Sequence, residues 1–257
     1  MPSTVENIKS MYHYLHDWMV TKTLRFVSRL CSKKLNIPEQ RVLILSPHPD
    51  DEIFGCAGLM QQLVRQEKDI KVVILTQGEA SQEEPMIEIS ALVAKRRELT
   101  LQAAQIVGFT SDQYVFLDWG DGKLHETEHN ERRKNELMSI VHSFDPQVIF
   151  LPHTYDAHSD HSFTSDIVFE ALKNHPVHIR LMYYCVWLWF ASCMVVLRLS
   201  WKKSFFLQMS EHERITKKKA MDTYTDPKDP FGMPYSGDLG LLPSICKWKK
   251  ELFFEIN

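Results

Sequence analysis

Apolar positions along the chain follow two alternating periods. Val42–Leu45, Val72–Leu75, Tyr114–Leu117 and Val148–Leu151 are short runs rich in β-branched and aromatic residues, and they predict buried strands. Helix-compatible stretches lie between them: 53–67, Lys95–Val107 ended by Gly108, Glu131–Ser143, and Ser162–Asn174. An Asp145–Pro146 turn precedes the fourth strand, and Leu181–Leu188 is a candidate fifth. Strands alternating with helices of this length predict βαβ units and an α/β fold on a mainly parallel sheet. In such sheets ligands gather beyond the carboxyl ends of the strands.

Two segments stand outside that alternation. Residues 5–35 lack Gly and Pro, and Ile8, Met11, Tyr12, Leu15, Met19, Phe26, Val27 and Leu30 recur at helical spacing. Lys22, Arg25, Arg29, Lys33 and Lys34 crowd its second half, and Pro38 closes it. This divides the chain into an N-terminal helix, 1–37, docked on the rest or lying on a membrane surface, and a domain over 38–257. The stretch 181–197 holds 17 uncharged residues between Arg180 and Arg198. It is short for a bilayer span, and its first half alternates like a strand, so a buried strand leading into an apolar loop or surface patch is expected. Residues 225–242 are dense in Pro, Gly and Asp and read as an ordered loop or lid.

Composition narrows the classes. In 257 residues a net charge of −3 offers no field for nucleic acid. The five cysteines are odd in number, scattered and free of any CxxC pair, which favours a reducing compartment and excludes a thiolate zinc cluster of the usual spacing. The first residues lack the basic-then-apolar order of a signal peptide, so a cytoplasmic protein is expected, with membrane contact through 5–35 and 181–197 as the variant.

The chemistry concentrates in two loops that each follow a predicted strand: "PHPDDE" after Val42–Ser46 and "PHTYDAHSDH" after Val148–Leu151. Parallel strands place both loops at one end of the sheet. They pool His48, Asp50, Asp51, Glu52, His153, Asp156, His158, Asp160 and His161. Imidazole nitrogens with carboxylate oxygens suit Zn²⁺ or Fe²⁺, and a divalent ion offsets the repulsion among clustered carboxylates. His48 and Asp51, three apart in a turn entering a helix, can point the same way, which directs Asp50 elsewhere. Three protein ligands plus water is the arrangement of a hydrolytic zinc site, with a neighbouring carboxylate to take the water's proton. Glu52 either favours the helix N-terminus through the dipole or orients a ligand, and His153 is either buried support or part of the chemistry.

At these residues the chain resembles the zinc-dependent de-N-acetylases of the LmbE-like (PIG-L) family, through "PHPDDE" and "HSDH" about a hundred residues later. The resemblance runs from Arg41 to Asn174 and more loosely to the C-terminus. It implies a Rossmann-like three-layer α/β/α fold with the active site at the carboxyl ends of the strands. It implies zinc ligands His48, Asp51 and His161, Asp50 as general base and later proton donor, and His158 stabilising the oxyanion with Asp160 tuning it through a hydrogen bond. "KRRELTLQAAQIVGF" resembles a family helix whose basic residue meets substrate, leaving Lys95, Arg96 and Arg97 as candidates. "FLDWGDGKL" makes Asp121 either a partner for a sugar hydroxyl or a solvated turn residue before Gly122.

The expected function is hydrolytic removal of the acetyl group from an N-acetylated amino sugar, a GlcNAc-type glycoconjugate whose lipid linkage the basic helix and apolar patch suggest. A ferrous enzyme using the same His–Asp–His set, and a membrane-associated binding module with a structural metal, are the alternatives. The adjacent Asp50 favours hydrolysis, because neither alternative needs that base.

Overall fold

The computed structural model describes residues 4–80, 88–156, 158–188, 191–225 and 248–256, with side chains in the first helix described from residue 18 onward. The region proposed as a lid, 225–242, lies outside the described residues apart from its first position. The strands are β1 (Lys33–Lys34), β2 (Arg41–Ser46), β3 (Asp69–Ile74), β4 (Tyr114–Phe116), β5 (Val148–Pro152), β6 (Arg180–Tyr184), β7 (Ser204–Gln208) and β8 (Lys250–Glu255). The helices are α1 (Thr4–Cys31), α2 (Asp51–Arg65), α3 (Ile89–Ile106), α4 (Asn130–Phe144), α5 (Ser159–Leu172), α6 (Cys193–Arg198) and α7 (Glu211–Asp222).

The eight strands form one sheet in the order β1-β7-β8-β6-β5-β2-β3-β4. Strands β4, β3, β2, β5 and β6 pair in parallel, and only β8 runs antiparallel to its neighbours. Successive residues of β2 feed opposite faces. Val42 and Ile44 join a core built with α1, α2, α3, α6 and α7, whereas Leu43 and Leu45 join one built with α4 and α5. This alternation makes the three layers.

The chain leaves β2 toward β3 and β4, then returns to place β5 on the other side of β2. The order therefore reverses between β2 and β5, where an open α/β sheet forms a crevice. Both predicted loops emerge there.

Three boundaries differ from the sequence reading. The first helix stops at Cys31, because Lys33 and Lys34 pair with Phe205 and Phe206 of β7. The candidate strand Leu181–Leu188 ends at Tyr184, because the next segment turns and the amide of Val186 donates to Asp156 Oδ2 at 3.0 Å. Residues 204–255 add β7, α7 and β8, which close the sheet beyond β6. No helix among the described residues is long and apolar enough to cross a membrane.

Candidate active site

The turn after β2 is shaped by what Asp50 must do. Its backbone has φ 144°, a region that side-chain-bearing residues rarely occupy. Two buried neighbours hold it there. Glu52 Oε2 accepts from the Asp50 amide at 3.3 Å and from Ser46 Oγ at 3.0 Å. Arg96 donates through Nη2 to the Pro49 carbonyl and lies 3.5 Å from Asp50 Oδ2, while its Nη1 donates to the Gly78 carbonyl at 2.8 Å. Gly78, with φ 71°, has no Cβ for good reason, since one there would come within 2.5 Å of that guanidinium. The turn then delivers Asp51 and Glu52 into the first turn of α2, where the helix dipole favours carboxylates.

The loop after β5 closes the other side. His48 Nδ1 and His161 Nε2 stand 2.9 Å and 3.1 Å from the same oxygen, Asp51 Oδ2. Asp156 Oδ2 faces His161 Nδ1 at 3.0 Å, which fixes that ring's orientation. His48 Nε2 lies between Asp121 Oδ1 at 3.2 Å and Asp160 Oδ2 at 3.3 Å. His158 sits against His48 with ring centroids 4.4 Å apart, and its Nδ1 accepts from the Asp160 amide.

The electrostatics follow from that packing. Burial alone would raise Asp51, yet His161 and His48 hold it far below the ordinary carboxylate range. Burial alone would lower both rings, but Asp51 and the other flanking acids outweigh it, pushing His161 to about 9 and His48 well above its usual value. Asp50 goes the other way. Burial and then Asp51 push it up to about 7, against the opposing pull of Arg96. Burial carries Glu52 to about 8, and burial followed by the charges of His48 and His161 lowers His158.

His48, Asp51 and His161 bring donor types suited to a divalent ion to one place. An imidazole nitrogen and a carboxylate oxygen bound to one zinc would stand roughly 3.3 Å apart. Asp51 Oδ2 meets the nitrogens of His48 and His161 at 2.9 and 3.1 Å, somewhat closer than that. The raised rings around a depressed carboxylate mark a place that attracts positive charge. The nitrogens of His48, His158 and His161 also lie within 4.8 Å of one another, as do the donors of His48, Asp121 and Asp160.

The remaining candidates are placed as follows. Of the basic run on α3, Arg96 reaches the site, Lys95 pairs with Glu98, and Arg97 stacks over Phe116 at 4.4 Å. The buried line of α3 is Leu92, Arg96, Leu99, Thr100 and Ala103, and that phase was present in the sequence. Asp121 is buried rather than solvated, with Oδ2 accepting from the Ala80 amide at 2.9 Å and Oδ1 beside His48. The carboxylate of Asp160 does not meet the His158 ring. It is turned to His48 at 3.3 Å and accepts from the amides of Gly122 (2.8 Å) and Leu124 (3.4 Å). His153 is buried against Tyr183 and Phe254, and its Nδ1 accepts from the Tyr155 amide.

Two contributors carried no assigned role in the sequence. Asp156 was pooled with the other acids, and only its contact with His161 gives it a task. Arg133 is fully buried and donates to the carbonyls of Trp119, Lys123, Leu124 and Glu126, which pins the loop carrying Asp121 and Gly122.

Fold and site together define a doubly wound α/β protein with a cation-attracting His/Asp centre at its topological switch point. The chain belongs to the PIG-L family, described as GlcNAc-PI de-N-acetylase, whose profile matches residues 43–172. It is 29% identical over 155 residues to a diacetylchitobiose deacetylase of Thermococcus kodakarensis, an alignment covering 57% of this chain and 56% of that protein. It is 30% identical over 153 residues to a probable N-acetyl-alpha-D-glucosaminyl L-malate deacetylase 2 of Bacillus anthracis, covering 58% and 66%. The chain thus matches roughly half to two thirds of the length of these relatives. The structure of N,N'-diacetylchitobiose deacetylase from Pyrococcus horikoshii shares the fold, with a TM-score of 0.64 at 16% identity, covering 100% of this chain and 94% of that one. GalB, a 4-carboxy-2-hydroxymuconate hydratase from Pseudomonas putida, shares it too, with a TM-score of 0.63 at 15% identity, covering 85% and 96%. The same architecture therefore carries different reactions, and the reaction must be argued from side chains.

Proposed function

We propose that the chain is a metal-dependent hydrolase that removes the acetyl group from an N-acetylated amino sugar. One observation carries the reading: two adjacent aspartates are separated in role by geometry. Asp51 lies between His48 and His161, whereas Asp50 lies outside that set, buried against Arg96. Zn²⁺ or Fe²⁺ held by His48, Asp51 and His161 would supply Lewis acidity toward the amide carbonyl and lower the pKa of water to about 7. Asp50, pushed up to about 7, is poised both to accept that water's proton and to return it to the departing amine. Arg96 faces the carboxylate at 3.5 Å, and its bond to the Pro49 carbonyl, with that of the Asp50 amide to Glu52, holds the strained backbone in place. His158 is held below the ordinary histidine range, and its Nδ1 is occupied as an acceptor. A neutral ring with its proton on Nε2 is therefore the donor available to the developing oxyanion, rather than an imidazolium. Names of the curated relatives support an amide of an acetylated sugar as the substrate class.

Metal analysis of the purified protein, with amine release from an N-acetylglucosaminide before and after chelation, tests this. One ion per chain is expected, with release that falls on chelation and returns with Zn²⁺. An intact, ion-loaded protein that releases no amine from N-acetylated sugars would defeat the proposal.

A further inference from the structure

A helix docked on a domain normally buries its apolar stripe and turns a polar face to water. Helix α1 breaks that rule. Its stripe of Val20, Leu24 and Ser28 is buried, yet its outward side carries Trp18, Met19, Phe26 (64% exposed) and Leu30 (70% exposed). Helix α6, which packs against α1, adds Met194 (60%) and Leu197 (62%). Among the described residues, six of the eleven large exposed apolar side chains thus belong to these two helices.

The charge of the same region is one-sided. Residues 18–38 contain Lys22, Arg25, Arg29, Lys33 and Lys34 and no acid, the acids of α1 being Glu6 and Asp17 before them, and residues 191–209 contain Arg198, Lys202 and Lys203 and no acid. The chain as a whole is −3, so this asymmetry is local. The segments are adjacent in space, because α1 also packs against β7 and against the turn Trp201–Lys203. Among the described residues, Lys22, Arg29, Lys33, Lys34, Arg198 and Lys202 have no acidic partner within ion-pair distance, and Lys22 stands over the Trp18 ring at 5.7 Å.

We infer that the outer face of α1 and α6 is a docking surface for an anionic lipid bilayer. Apolar side chains interleaved with unpaired cations suit a helix lying in the headgroup layer, where Trp, Phe and Leu enter the acyl boundary and Lys and Arg meet lipid phosphates. Lys22, Arg25 and Arg29 within α1 fit a helix that lies on the surface rather than crossing it. A protein partner would also cover apolar groups, but the basic excess over 18–38 and 191–209 favours a uniformly negative surface. The inference is independent of the reaction proposed above, since none of these residues lies in the catalytic centre.

Co-flotation of the full chain with phosphatidylcholine vesicles, with and without phosphatidylglycerol, tests it. Binding is expected only with phosphatidylglycerol, and it should weaken as salt rises. Lys22→Glu with Arg29→Glu should lower the partition by about tenfold or more, given roughly a fivefold contribution per basic residue at the surface. Phe26→Ser with Leu30→Ser should lower it comparably, and Met194→Ser with Leu197→Ser serves if the first pair fails to fold. Amine release from a water-soluble acetylated sugar should stay unchanged in all three. Failure to float with phosphatidylglycerol at low salt would overturn the inference, as would binding that none of the pairs weakens. Self-association lost in Phe26→Ser/Leu30→Ser, without vesicle binding, would assign the face to a second copy instead and overturn it equally.

Discussion

Helix α2 carries buried charge at two places two turns apart, and the two are handled in opposite ways. In its middle, Glu251 of β8 accepts from the amides of Gly58 and Leu59 at 2.7 and 2.8 Å, while Lys217 of α7 donates to Glu251 at 2.6 Å and to the Phe54 carbonyl at 2.7 Å. In a regular helix the Gly58 amide would face the Phe54 carbonyl, so this ion pair spans a rung of the ladder. Gly58 permits it, since a Cβ there would lie within 3.0 Å of the Glu251 carboxyl carbon. Every charged atom of the pair is satisfied by protein. At the N-terminus, by contrast, Asp50 has one long contact to Arg96, and Asp51 Oδ2 meets the His48 amide at 3.0 Å and two rings that a metal ion could recruit. A closed network fixes structure, whereas an open one keeps donors for a ligand.

Substitutions separate the two. Asp50→Asn should reduce turnover by about 10²- to 10⁴-fold, the usual contribution of a positioned base, with little change in unfolding by urea. Lys217→Met should do the reverse. It strands Glu251 in the core and should cost about 3–5 kcal/mol in the same urea titration, while the folded fraction keeps most of its turnover. A Lys217→Met variant of unchanged stability would erase the contrast.

Smaller effects come from protons. Burial lowers His153 to about 4, against 6.5 in an unfolded chain. Below pH 6.5 the unfolded state binds that proton more readily than the folded one. Stability is therefore complete above 6.5 and falls as pH drops toward 4, by up to roughly 3 kcal/mol. His153→Gln should lose less than the parent protein between pH 7 and 4.5, as read from urea midpoints. Arg96→Gln removes a charge that pulls Asp50 down, so the Asp50 carboxyl should rise further above its usual range. The base would then ionise only at higher pH, and the acid limb of kcat/KM should move upward. An unmoved limb would show that Arg96 acts only as a prop.

The legible parts of the molecule are those where period and chemistry agree. Val42–Leu45 and Val148–Leu151 are fully buried on both faces, so their continuous apolar runs marked central parallel strands and, with them, the common end of the two loops. Strand β7 and helix α7 were opaque because their burial is partial. Strand β7 has half-exposed phenylalanines, and α7 buries only Glu213, Lys217, Ala220 and Met221, two of them charged. Its one clear local signal is the capping box Ser210–Glu213. Within the site, spacing could bring His48 and Asp51 together, but only tertiary contacts show that Asp160 turns to His48, that Asp156 orients His161, and that Asp50 adopts a backbone that residue type rarely does.

The proposed reaction needs Asp51 to hold an ion and Asp50 to move a proton. Metal content of Asp50→Asn and Asp51→Asn, purified side by side and set against the parent protein, tests that division directly. Asp50→Asn should retain about one ion per chain, and Asp51→Asn should lose most of it. Equal loss in both variants, or full retention in Asp51→Asn, would contradict the assignment.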